Sequence, residues 1–150
     1  MKKKWIWIIV FIYILFIFSN SLQNGNSSGN LSAEITRTLL NLIESRGIMI
    51  PFDLLHHFIR KLAHFSEYWI LGLLTVAAMH HQPLLKNQIL CFFLFLILPP
   101  SMDEGIQHFV PGRYGCVSDV CIDMSGFLFG ALFLYIILCI IEDIHRRRTV

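Results

Sequence analysis

The sequence predicts an all-α integral membrane protein: a bundle of four transmembrane helices plus a short amphipathic helix on its outer surface. Three observations carry that prediction. The 150 residues are 55% hydrophobic, and the apolar residues come in blocks rather than in alternation with polar ones. Charged and small polar residues gather where the blocks end. Basic residues fall mainly on one side of the resulting helices. A single domain over residues 1–150 follows. The net charge is only +2, and no basic, aromatic-interleaved stretch is present, so nucleic acid is not an expected partner; membrane lipids are.

The elements follow in chain order. Trp5 to Phe18 is an unbroken apolar run, shorter than the ~20 residues that cross a bilayer. Lys2 to Lys4 at one end and Ser19 to Leu22 at the other extend it to a span over about 5–22. The rival reading is a cleaved signal peptide with its small-residue site at Ser19-Asn20-Ser21. QNGNSSGN then reads as a flexible polar stretch. Beyond it, Leu31, Ile35, Leu39, Leu42 and Ile43 recur at helical spacing, with Glu34, Arg37, Asn41 and Glu44 on the other face and Gly47 as a stop. This predicts an amphipathic helix on the outer surface or against the bundle. Asp53, after Pro51, reads as the cap of a long helix that becomes the second span, about 62–79. The third span covers about 88–104, with a kink expected at Pro99 and Pro100. The fourth covers about 120–141.

Four spans put both termini on one side of the membrane. Lys2, Lys3, Lys4, Lys86, Arg146, Arg147 and Arg148 share that side. Arg37, Arg46, Arg60, Lys61 and Arg113 lie on the other. The positive-inside rule places both termini in the cytoplasm. Cys91 and Cys139 lie in apolar runs, where a thiol is a small hydrophobe. Cys116 and Cys121 are neighbours in a polar region, and neither a zinc-type spacing nor a disulfide framework is visible.

Three polar sets stand at the outward ends of the helices. In RKLAHFSEYWILGLL, Arg60, His64 and Glu67 share a face, with Lys61 beside them. Arg60 and Lys61 also suit the headgroup level, but a carboxylate inside a span usually faces a bundle interior. In PPSMDEGIQHFVPGRYG, Asp103 and Gln107 are one turn apart and Glu104 follows Asp103. The Pro111-Gly112 turn fixes Arg113, a residue suited to gripping carboxylate or phosphate through two hydrogen bonds. In DVCIDMSGFLFG, Asp119, Asp123, Gly126 and Gly130 fall on one face. Asp119 reads as a helix cap or a site residue. Asp123 lies a turn deeper, and the glycines read as a helix-packing surface. Arg60, Lys61 and Arg113 against Glu67, Asp103, Glu104, Asp119 and Asp123 leave a charge of −2, or −1 with His64 protonated. Such a cluster needs a protonated carboxylate, contact with water, or a bound cation. No tight ligand motif is present, so no metal or cofactor is expected. A divalent ion on the Asp and Glu oxygens with one His is the lesser alternative.

The two long motifs, with the later Asp119, Asp123, Gly126 and Gly130, resemble the VanZ-like family. The resemblance rests on Lys61, His64, Phe65, Glu67 and Tyr68, and on Asp103, Glu104, Gln107, Phe109, Pro111, Gly112 and Arg113. The early FSNSLQ is also similar to the family's Ser-rich end to its first span. Asp123 stands where the family often has Asn. The resemblance implies a multi-pass protein of the bacterial plasma membrane. It also implies a link to low-level resistance to teicoplanin, a lipid-bearing glycopeptide antibiotic.

Two functions fit these residues. In the first, Arg60, Lys61, His64, Glu67, Asp103, Glu104, Gln107, Arg113, Asp119 and Asp123 form an outward-facing site. It would bind an anionic lipid or peptidoglycan-precursor headgroup of the cell envelope. In the second, His64 and Glu67 with Asp103 or Asp123 supply general acid and base for an enzyme modifying an envelope lipid or precursor. A purely structural polar network is the third option. The oligomeric state is left open by the sequence.

Overall fold

A computed structural model describes residues 5–113 and 115–148, apart from the side chains of residues 26–28. Lys2 to Lys4, which enter the charge-asymmetry argument, lie outside the described residues. Every regular element described is a helix: α1 (Trp5–Ser21), α2 (Gly25–Glu44), α3 (Phe52–His81), α4 (Gln88–Phe109) and α5 (Val117–Arg148). Helices α3, α4 and α5 are each long and apolar enough to cross a membrane. At 17 residues, α1 is about 25 Å long, a few ångströms short of a typical ~30 Å hydrocarbon core.

The core lies where α1, α3, α4 and α5 meet. Trp7, Val10, Ile14 and Ile17 recur at helical spacing on α1 and are buried against Tyr68, Leu71, Phe95 and Phe127. The Trp7 indole donates to the Gln82 carbonyl at 2.6 Å, tying the start of α1 to the end of α3. The α3–α5 pair is the closest in the molecule. A Cβ added at Gly126 would strike the Phe65 carbonyl, and one at Gly130 the Trp69 carbonyl. Gly72 on α3 faces the Phe127 carbonyl in the same way. Only glycine lets two helix backbones approach so far, so the packing role read from Gly126 and Gly130 holds. Elsewhere the apolar surface faces outward; Leu15 on α1 is 66% exposed and Phe129 on α5 66%. In water such a surface would aggregate, whereas a bilayer solvates it.

Several boundaries differ from expectation. QNGNSSGN is not a flexible link: α2 already begins at Gly25. The Gly25 amide donates to the Pro111 carbonyl at 3.2 Å, and a Cβ on Gly25 would overlap the Gly112 carbonyl. Tertiary docking therefore overrides the local turn signal. Gly112 has φ +78°, so it can make this turn without a Cβ penalty. Asp53 does not cap α3. Pro51 holds that position, makes no side-chain cap bond, and leaves Asp53 in the first turn, where a negative charge favours the helix dipole. Asp119 is likewise the third residue of α5 rather than its cap. Helix α4 runs through Pro99 and Pro100 and extends five residues past the expected end.

Helix α2 docks on α3 through buried Thr36 and Leu40, with the Ser32 hydroxyl 2.8 Å from the His56 ring. Its stripe of Leu31, Ile35, Leu39 and Leu42 stays exposed. An amphipathic helix with its apolar stripe uncovered is built to lie on a membrane surface.

Candidate functional site

The polar residues meet at the end of the bundle that carries α2 and the turn at Pro111-Gly112. Chain direction explains the convergence: α1 and α4 finish at this end, and α3 and α5 enter the bundle there. His64 and Glu67 sit a few turns into α3. Asp103, Glu104 and Gln107 lie in the last turns of α4, and Asp119 and Asp123 in the first turns of α5.

Asp103 is fully buried and held from two sides. The Ser21 hydroxyl of α1 donates to its Oδ1 at 2.5 Å, and the Gln107 amide donates to its Oδ2 at 3.1 Å. The same amide reaches Ser21 Oγ at 3.2 Å, closing a small network between α1 and α4. Glu104 Oε2 accepts from the Cys116 backbone amide at 2.8 Å, which anchors the approach to α5. Lys61 pairs with Asp119 at the rim. His64 Nδ1 stands 3.3 Å from Asp123 Oδ1 but lacks the alignment of a hydrogen bond. Asp123 is fully buried, and neither of its oxygens has a hydrogen-bond partner.

Glu67 belongs to a neighbouring arrangement. Its Oε1 accepts from the Asn20 amide of α1 at 3.0 Å, and its backbone carbonyl accepts from the Tyr13 hydroxyl at 3.2 Å. It is therefore beside the Asp103–Asp123 cluster rather than inside it. Arg113 crosses to α1 as well, donating to the Asn20 carbonyl at 3.0 Å. Its Nε is buried without a partner. Burial, and then the like charge of Arg60, pull the Arg113 guanidinium below its usual pKa. Among the described residues, no carboxylate lies within ion-pair distance of Arg60 or Arg113.

The structure thus gathers His64, Asp103, Glu104 and Asp123, with one potential ligand atom from each all within 4.8 Å of one another. Gln107 braces that group, Lys61 and Asp119 close its rim, and Glu67 and Arg113 are bound to α1. Arg60 is exposed. Ser21 and Asn20 are the site residues that spacing arguments passed over. Their signal was the break from apolar to polar at FSNSLQ, where α1 ends. Cys116 and Cys121 are free, exposed thiols. A hydrogen bond with Ser118 lowers the Cys116 pKa below that of an ordinary thiol.

The family model described as VanZ/LLP1 matches residues 5–138. The chain belongs to this family. The match runs from the start of α1 well into α5, so it takes in all the helices that build the polar cluster. No curated protein and no solved structure matches the chain. Family membership and three long apolar helices together make this a VanZ-like membrane protein.

Proposed function

We propose that the protein sits in the bacterial plasma membrane with both termini in the cytoplasm. The polar end would face outward and bind the phosphate-bearing headgroup of an envelope lipid or cell-wall precursor. The observation that carries this reading is the unpaired Arg60 and Arg113. The two guanidiniums repel each other, and among the described residues neither has a carboxylate within ion-pair distance; Asp103, Glu67 and Glu104 offset the charge of Arg113 only from further away. An anion between them relieves both deficits, and a phosphate offers the bidentate geometry that guanidinium prefers. The α2 amino end docks on the Pro111-Gly112 turn beside Arg113, which adds a positive dipole end. Occupying such headgroups alters how a lipid-anchored glycopeptide reaches its target, which links the site to lowered teicoplanin susceptibility.

Purified protein in nanodiscs would bind phosphatidylglycerol more tightly than phosphatidylcholine. The Arg113→Lys variant should lose roughly tenfold of that preference. Unchanged preference in a folded variant contradicts the reading. In cells, deletion should lower the inhibitory concentration of teicoplanin more than that of vancomycin, and wild-type protein but not Arg113→Lys should restore it. Labelling of exposed Cys116 by an impermeant maleimide on intact cells tests the orientation; protection there would place this end in the cytoplasm.

A second reading draws on the 3.3 Å approach of His64 to Asp123. An imidazole beside a buried carboxylate is a general acid–base pair, and an enzyme acting on an envelope lipid or precursor would use it. A change in one lipid class on deletion, uncorrected by His64→Gln, would favour catalysis over binding.

A further inference from the structure

Buried polar groups are almost always hydrogen-bonded, so a concentration of exceptions marks a place where something else belongs. Seven buried side-chain polar atoms lack a partner among the described residues, and six belong to His64, Tyr68, Glu104, Arg113 and Asp123. Asp123 is the sharpest case: its side chain is 0% exposed and both oxygens are orphaned. Glu104 is 6% exposed, with Oε2 on the Cys116 amide and Oε1 orphaned. The Tyr68 hydroxyl is also fully buried and unpaired. No Lys or Arg among the described residues pairs with Asp103, Glu104 or Asp123, because Lys61 is committed to Asp119.

We propose that His64, Asp103, Glu104 and Asp123 ligate a divalent cation of the Mn2+–Zn2+ series, with Ser21, Gln107 and the Cys116 amide as outer-shell supports. The four ligand atoms lie within 4.8 Å of one another. An ion with bonds of about 2.1 Å holds ligand atoms about 3.4 Å apart in a tetrahedral shell and about 4.2 Å apart when trans in an octahedral one, so the cluster closes on an ion by a contraction of about 0.6 to 1.4 Å at its widest pair. Three carboxylates supply hard oxygen donors, and the imidazole selects first-row metals over Ca2+ and Mg2+. A divalent ion reduces the cluster's formal charge from −3 to −1 with His64 neutral. The hydrogen bonds to Asp103 and Glu104 approach from outside the cluster and fix each carboxylate's direction, as supports of metal ligands do. Each Asp103 oxygen keeps a second lone pair after accepting its bond. Neither Asp123 oxygen makes a hydrogen bond, and only Oδ1 has a charged neighbour, His64 Nδ1 at 3.3 Å, so both oxygens remain available to an ion. Asp103 and Glu104 act on Arg113 through their charge, but the metal titration reads metal and not phosphate, so this proposal and the headgroup reading fail on different results.

The test uses the full chain, purified in detergent without a histidine tag and stripped with EDTA. It is then titrated with MnCl2 or ZnCl2, with bound metal counted after desalting. Wild type should retain about one ion per chain and unfold at a higher temperature with the metal than without it. Asp123→Asn and Glu104→Gln should each weaken Mn2+ binding by roughly tenfold or more and lose the thermal shift. Both variants replace a carboxylate with a near-isostere, and apo wild type supplies the reference for their folding. Failure of wild type to retain Mn2+ or Zn2+ overturns the proposal. So does undiminished binding by both variants, which would put the ion elsewhere, or displacement of Mn2+ by an equal concentration of Ca2+.

Discussion

The two ends of the α3–α5 pair are built on the same close backbone contact and finish differently. At the end carrying Gly126, the helices are roofed by α1, α4 and the turn at Pro111-Gly112, and charged side chains are enclosed. At the other end, beyond Ala131, the start of α1 packs on α3 and α4 through Trp7, and among the described residues no loop closes over the outer side of α3, α4 and α5. There α3, α4 and α5 flank a groove of about 780 Å³ lined by Val76, Met79, Phe92, Leu132 and Tyr135. Glycine contact brings the helices together at one end, but enclosure needs the additional elements. The polar site thus depends on α1 and the residues that follow α4, whereas the groove is left open and mainly apolar.

The largest effect should come from breaking the feature the two ends share. Gly126→Leu pushes a side chain into the Phe65 carbonyl and should destabilise the fold at the upper end of about 1–3 kcal/mol. Reversible unfolding in bicelles measures it, and a neutral result would mean that the close contact is not required. Next comes the enclosed end alone. Asp103→Ala leaves the Ser21 hydroxyl without its acceptor and Gln107 with only Ser21 Oγ, and should cost about 1–3 kcal/mol. Smaller still is the rim. Lys61→Met breaks a partly exposed pair with Asp119 and should change stability by about 1 kcal/mol or less. At the groove, Leu132 is 59% exposed, and Leu132→Ala should stay within about 0.5 kcal/mol. If the groove substitution were to rival Asp103→Ala, the contrast between the ends would fail.

Much of the fold was legible in the sequence because the apolar blocks are long and the polar sets keep helical spacing. His64, Asp103, Glu104 and Asp123 each announced themselves as charges at the edge of an apolar run. Chain direction put them at one depth in the membrane but did not say which helices are neighbours. Helix starts were harder to read. Asp53 and Asp119 look like caps in one dimension, yet the helices begin earlier and leave each inside the first turn. QNGNSSGN carries turn residues, but Gly25 is held by the Pro111 carbonyl, a contact between segments far apart in sequence. Glu67 has the spacing to join His64, and it is Asn20 on α1 that draws it aside. Local pattern could not show these because each depends on a partner from another helix. The sequence offered a divalent ion on Asp and Glu oxygens with one His as the lesser alternative; it could not single out His64, Asp103, Glu104 and Asp123, because four donors from three helices form no compact motif.

The central claim is that separated helices enclose one polar site, and the Ser21–Asp103 bond is its most direct expression. A double-mutant cycle of Ser21→Ala and Asp103→Ala, read by reversible unfolding in bicelles, measures the coupling of α1 to α4 through that bond and the Gln107 amide that touches both residues. Enclosure predicts a coupling of about 1.5–3 kcal/mol, the range for a buried hydrogen bond to a charged group. Additive effects, within about 0.5 kcal/mol, would mean that α1 and α4 do not meet there and that the site is not formed.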